Sequence, residues 1–472
     1  MTRIRDFLYS ISEGAFGLII NLLIMILVER HLGERGLGIF SYLLSLYYIL
    51  VFISDFGISK FVEHALATGQ VKEKVSRLFS YAFQAGLLVS LFFGITLIFT
   101  AGYYMTQTRV DEKTAAYFIL ALILIFHNLN KLLLSFLEAK ESHDVTAKLK
   151  IRKRLILIGV IYGLLLFNVP ASLLMIGYLV SEAITTINAW KKIPLSLSLR
   201  PWIGWRKLKI LVSHSSSYLF TDDVLDVVLY LDFFLLGFFI SSENLGVYAE
   251  ASILVRAFLI IPFGLKPLFY SHYCRLASQD KIHRASVFCQ RSTPILFFTL
   301  ATLCLYMLVY YPVILHKLFY TQGYDLVSFR IFSILLPGLL LFSTFSIHEP
   351  IYEALEEIRG YQKIALLVSL INVCLNAFLI PFAGFIGAAW ATTISLFFYF
   401  FLFGGQLKDS IRINKKTYLL SSGVIYFLYV LFHKLELDMW ISIWMIPLSL
   451  FIILSLLNLF NFEEIPVKST AY

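Results

Sequence analysis

Lys131, Arg256 and Lys266 each interrupt an apolar stretch of the sequence. A cation in hydrocarbon is costly, and such residues are retained where they face a cavity or meet an anion. Arg offers a planar fork that matches phosphate oxygens in pairs, and Lys a point charge. Together the three read as the lining of a cationic cavity suited to a phosphate or diphosphate. His127, Lys131, Ser135 and Glu138 recur at the spacing of one helical face, which Asn128 and Asn130 widen. Further on, Ser252, Arg256, Phe263, Lys266 and Tyr270 form a looser stripe, with Glu250 above it. The competing reading pairs each cation with a nearby acid that only holds helices together. Lys266, close to a helix end, could also reach back to the membrane surface.

The acids are patterned too. Glu13 belongs to a Ser10, Glu13, Gly17, Asn21 stripe, Asp55 precedes Gly57, and Asp222, Asp223, Asp226 and Asp232 crowd one stretch. Carboxylates at low dielectric can exchange protons or hold cations. Glu13, Asp55, Asp222, Asp226, Asp232 and Glu250 are therefore the candidates for proton or ion coupling, with structural pairing as the alternative. Cys274, Cys289, Cys304 and Cys374 show no CxxC spacing and have no His at ligand distance, so neither a metal site nor a disulfide is expected. Nothing in the sequence calls for a cofactor, and no glycine-rich nucleotide loop is present.

These residues must be positioned by helices in lipid. The 472-residue chain has a mean hydropathy of +0.80, with 59% hydrophobic and only 15% charged residues. Soluble domains carry about 25% charged residues. The 44 Phe and 27 Tyr suit lipid-facing and interfacial surface. A net charge of +9 could point to nucleic acid, but the basic residues cluster in short segments between apolar runs. That is a topology signal, and no nucleic-acid partner is expected.

Fourteen apolar runs are long enough or nearly long enough to span, from 7–28 to 439–460, the fifth (155–168) being short. Arg3 and Arg5 precede the first, which lacks a small-residue cleavage site and reads as an uncleaved helix. With the N-terminus inside, segments expected in the cytoplasm hold 29 of the 39 Lys and Arg, external ones hold seven, and three lie within helices. Removing one span would invert every later segment and destroy that asymmetry. Both termini are thus expected in the cytoplasm.

An internal repeat accompanies this pattern. Leu37-Gly38-Ile39-Phe40 is echoed by Leu245-Gly246-Val247-Tyr248, and Phe56-Gly57-Ile58 by Phe263-Gly264-Leu265. Both copies run in the same direction, as parallel repeats about an axis along the membrane normal. The expected fold is an all-α polytopic membrane protein of about fourteen helices: two pseudo-symmetric six-helix bundles (1–195 and 205–408) and two C-terminal helices (415–462). Proline is concentrated in the second bundle, at Pro262, Pro267, Pro294, Pro337, Pro350 and Pro381, where kinks could serve as pivots.

The sequence resembles the polysaccharide transporter branch of the MOP (MATE-like) flippase superfamily, which includes O-antigen and capsule flippases. The resemblance is carried by residues 30–42 with Leu37-Gly38-Ile39-Phe40, by Asp55-Phe56-Gly57-Ile58, by Leu231-Asp232-Phe233-Phe234-Leu235-Leu236-Gly237, and by Gly384-Phe385-Ile386-Gly387-Ala388-Ala389-Trp390. It covers most of residues 1–406. It implies a two-lobed transporter of the cell inner membrane that turns undecaprenyl-diphosphate-linked oligosaccharide to the outer leaflet by alternating access. It also implies a cationic lumen, to which Lys131, Arg256 and Lys266 would contribute, and coupling at acids such as Glu13, Asp55, Asp226 and Asp232. Partners would be the lipid-linked oligosaccharide, membrane lipids, and the polymerase and chain-length proteins of the same pathway. Two other readings stay open. A MATE-type multidrug or cation antiporter would suit the acid-rich seventh apolar run (211–240), which holds Asp222, Asp223, Asp226 and Asp232. A membrane-embedded glycan polymerase or glycosyltransferase would need a large external loop, and the external loops here are short.

Overall fold

The computed structural model describes residues 2–67, 75–110, 114–140, 143–193, 204–215, 218, 224–277, 282–319, 326–355, 357–403, 415–435 and 439–456. Those residues form helices joined by short turns. The first bundle contains α1 (Thr2–Asp55), α2 (Ile58–Ala67), α3 (Val75–Gln107), α4 (Thr114–Ala139), α5 (His143–Leu166) and α6 (Met175–Trp190). The second contains α7 (Trp205–Ser215), α8 (Val224–Leu236), α9 (Ser242–Arg256), α10 (Ile260–Ala277), α11 (Ile282–Val309), α12 (Tyr311–Leu318), α13 (Leu326–Ser346), α14 (Pro350–Ala354) and α15 (Ile358–Leu402). Helices α16 (Lys415–Leu435) and α17 (Met439–Leu456) pack outside it, on α11. The boundaries near 195–205 and 408–415 fall largely outside the described residues.

Among the described residues, eight helical segments are long and apolar enough to cross a membrane. Two of them, α1 and α15, turn back on themselves at a glycine: Gly33 has φ +66° and Gly384 φ +54°. Only glycine enters that left-handed region at little cost. Each of the two therefore makes two passes. The apolar runs of the sequence count four more spans over α5, the stretch that holds α7 and α8, α16 and α17, in keeping with about fourteen passes.

The fifth pass differs from the sequence reading. A helix over 155–168 alone would span about 21 Å, short of the roughly 30 Å of hydrocarbon. Helix α5 instead begins at His143 and runs for 24 residues. A hydropathy reading stops at Arg154 because 148–154 is basic, yet that stretch is helical and continuous with the apolar part.

Helix α1 is the hub, packing on α4 and α5 of its own bundle and on α8, α9 and α10 of the other. The two bundles meet most closely at the end that the charge distribution places outside. There the repeat glycines face each other. A Cβ on Gly38 would fall on the Ser242 carbonyl oxygen, and one on Gly246 on that of Glu34. The helices approach backbone to backbone, which only glycine permits. Around this crossing, Arg35 pairs with Glu243 at 3.7 Å. Arg30 donates to the carbonyls of Leu318 (2.7 Å) and Lys317 (2.5 Å), satisfying the C-terminal end of α12. The Arg109 backbone N–H donates to the Gly237 carbonyl at 2.8 Å. One level deeper, the Tyr48 and Tyr230 rings stack across the bundles with centroids 4.2 Å apart.

Candidate functional site

Beneath that stack lies a cavity of about 540 Å³ between the bundles, lined by α1, α2, α4 and α5 on one side and by α8, α9 and α10 on the other. It runs from Asn21 and Tyr48 toward Lys60, Glu63, Glu138 and Lys150, at the end expected to face the cytoplasm. Helix α4 presents His127, Asn130, Lys131, Ser135 and Glu138 to it, the face that helical spacing marks out. Asn128 turns away, donating to Ser54 (2.8 Å) and Ser90 (2.7 Å) and tying α4 to α1 and α3.

Each of the three predicted cations meets an acid. Lys131 lines the cavity and lies 3.3 Å from Asp55, a buried carboxylate that also accepts from Ser59 at 2.6 Å. Arg256 lines the opposite wall, 3.6 Å from Asp232. Its guanidinium sits 4.5 Å from the Tyr230 ring centroid and 4.8 Å from that of Phe233, and it donates to the Leu229 carbonyl. Lys266 is not part of the lining; it pairs with Glu349 at 2.5 Å, and Tyr399 donates to the other oxygen of that carboxylate at 2.7 Å.

Of the candidate coupling acids, Asp55 and Asp232 are thus engaged by cations. Asp232 also accepts from the Tyr248 hydroxyl and from the Phe233 backbone N–H. Glu250 is fully buried on α9. Asp222 lies outside the described residues, and so do the side chains of Glu13 and Asp226.

The sequence reading missed the basic stretch of α5 and the acid behind it. Lys150, Lys153 and Arg154, spaced i, i+3 and i+4, all line the cavity. Lys150 pairs with Glu138 at 3.0 Å. Glu182 on α6, with no exposed surface, is the focus of the first bundle. Its Oε1 lies 2.5 Å from Lys153 Nζ, 2.7 Å from His127 Nδ1 and 3.2 Å from the Tyr47 hydroxyl, and its Oε2 accepts from Asn130 at 2.7 Å. A carboxylate taken wholly out of water needs such a full set of donors. Arg154 reaches the Asn21 amide oxygen at 3.3 Å. The signals were available: the fifth span was too short without 143–154, and Glu182 is an acid in the middle of the sixth.

A model of polysaccharide biosynthesis proteins matches residues 27–327, well over half of the chain. The chain belongs to that family. Among solved structures it is similar to a lipid II flippase, MurJ, in an inward closed conformation, at 16% identity and a TM-score of 0.73, covering 95% of this chain and 98% of that one. It is also similar to an inward-facing multidrug resistance MATE family transporter of the MOP superfamily (11% identity, TM-score 0.64, 82% and 93% covered). A MATE transporter from Vibrio cholerae follows at 11% identity and a TM-score of 0.57, with 88% and 96% covered. At such identities the likeness is one of fold, which is that of the MOP superfamily transporters. No curated protein matches the sequence.

Proposed function

We propose that this member of the polysaccharide biosynthesis family translocates undecaprenyl-diphosphate-linked oligosaccharide from the inner to the outer leaflet of the cell inner membrane. The observation that carries this reading is the composition of the cavity wall, where Lys131, Lys153, Arg154 and Arg256 converge with amides and tyrosines. Cations suit a diphosphate, amides and aromatic rings suit sugars, and the polyprenyl tail can stay in lipid. The close crossing at one end and the cavity reaching toward the other fit alternating access between the bundles. Both termini are then cytoplasmic, and the polymerase and chain-length proteins of the same pathway receive the product. Coupling to a proton or ion gradient is assigned to the buried acids, of which Asp55 and Asp232 are tied to cavity cations.

The alternative, export of organic cations, is favoured by the number of buried acids. It is opposed by their occupancy: Asp55, Glu138, Glu182 and Asp232 each already face a basic side chain. Reconstitution in liposomes decides between them. A fluorescent lipid-linked oligosaccharide should become accessible on the far leaflet only in vesicles holding the protein. No movement of that lipid, together with uptake of an organic cation, would replace the flippase by the antiporter.

A further inference from the structure

The cations that line the cavity are not equivalent once their partners are counted. Lys60 lies 3.4 Å from Glu63, and Lys131, Lys150 and Arg256 pair with Asp55, Glu138 and Asp232. At each of these places the charge is balanced on the spot. The exception is the adjacent pair Lys153 and Arg154. One carboxylate, Glu182, serves Lys153 and is shared with His127, while Arg154 has only the neutral Asn21 amide and no carboxylate at ion-pair distance among the described residues. Arg154 also lies flat across α1 at Gly17, where an added Cβ would come within 3.3 Å of its Nε. The absence of a side chain there leaves room for the guanidinium on the cavity wall.

We propose that Lys153 and Arg154 form the anion-receiving subsite of the cavity and that Glu182 is a displaceable internal counter-ion. With no cargo, Glu182 holds Lys153. When a diphosphate enters, its oxygens take Lys153 and Arg154, and Glu182 keeps His127, Asn130 and Tyr47 as partners. The carboxylate sits behind these side chains with no exposed surface, whereas Lys153 and His127 are 16% and 17% exposed, so the cavity meets the cations first. The charged and titratable groups around Glu182 are Tyr47 from α1, His127 from α4, Lys153 and Arg154 from α5, and Tyr178 from α6 itself. This inference rests on the diphosphate-linked nature of the proposed cargo.

The test is calorimetric titration of the purified full-length protein in lipid nanodiscs with inorganic pyrophosphate. Arg154→Gln should weaken binding roughly tenfold or more, as expected for losing one partner of a charge-assisted contact. Glu182→Gln should tighten it, because the internal competitor for Lys153 is gone. Unchanged affinity in Arg154→Gln, which alters a cavity-wall side chain held by no carboxylate among the described residues, would overturn the proposal even if Glu182→Gln folds poorly. Weakening by Arg256→Gln alone would move the anion to the second bundle and overturn the subsite while leaving the flippase reading intact. Intact flipping in liposomes with no pyrophosphate binding would likewise remove the subsite only. Loss of both in the wild-type protein would remove the flippase reading as well.

Discussion

Gly38 and Gly246, one from each copy of the internal repeat, pack against each other's helices in a reciprocal contact. Each would place a Cβ on the carbonyl four residues before the other, Ser242 and Glu34. The contact is thus itself two-fold, and it sits where the bundles close over the cavity. The closed end of the transporter is built from the motif that reveals the duplication.

That closeness has a direct consequence for substitution. Gly38→Val or Gly246→Val forces two backbones apart, and overpacking of this kind costs about 1–3 kcal/mol. Both variants should melt at lower temperature in detergent. A cysteine placed at Asn21 should become reactive toward a membrane-impermeant thiol reagent added from the outside. Wild-type reactivity would show that the crossing does not seal the cavity.

The Arg35–Glu243 pair is solvent-exposed, with side-chain exposures of 60% and 55%, so its worth to stability is small, on the order of 0–1 kcal/mol. Its effect should appear in closure instead. Arg35→Glu or Glu243→Arg alone should slow flipping in liposomes, and the double reversal should recover it. Failure of the double variant to improve on either single one would assign the loss to something other than this pair.

Lys131 and Asp55 should behave as a unit. Lys131→Met leaves Asp55 with its Ser59 hydrogen bond and without its cation, a cost of roughly 1–3 kcal/mol given that Lys131 is partly exposed. Lys131→Met combined with Asp55→Asn should regain the thermal midpoint. If surface glycan returns with it, the pair is structural. If the midpoint returns and glycan does not, Lys131 contacts cargo.

Glu182→Ala is a harsher change than Glu182→Gln. It strips the buried Lys153 of its carboxylate and Asn130 of its acceptor and leaves Tyr47 and His127 only each other, at 2.9 Å, and breaking a buried pair in this way costs about 3–5 kcal/mol. The protein should express at reduced level and lose its cooperative thermal transition, whereas Glu182→Gln should retain one. Equal stability of the two would mean that the network is looser than its distances.

Much of this arrangement was legible in the sequence because helices repeat at a fixed period. The α4 face from His127 to Glu138 follows from spacing alone, and the turns at Gly33 and Gly384 lie inside the motifs that carry the family resemblance. Other features were hidden for physical reasons. Hydropathy treats Lys150, Lys153 and Arg154 as the edge of a membrane span, whereas a polar cavity and a buried carboxylate let a helix carry them inward. Spacing likewise cannot tell Lys131, which faces the cavity, from Lys266, which faces Glu349, since partner choice is set by contacts between distant helices. The repeat was visible as order along the chain, but that its two copies touch became apparent only from the packing.

Arg35 and Glu243 stand at the same offset of 208 residues as Gly38 and Gly246, so they occupy corresponding places in the two halves. Two identical halves associating about this axis would set arginine against arginine, or glutamate against glutamate, at the mouth of the crossing. Joining the halves in one polypeptide allows each to diverge, and a position that symmetry would make repulsive becomes attractive. Covalent fusion here does more than hold two lobes together, because it permits them to be complementary.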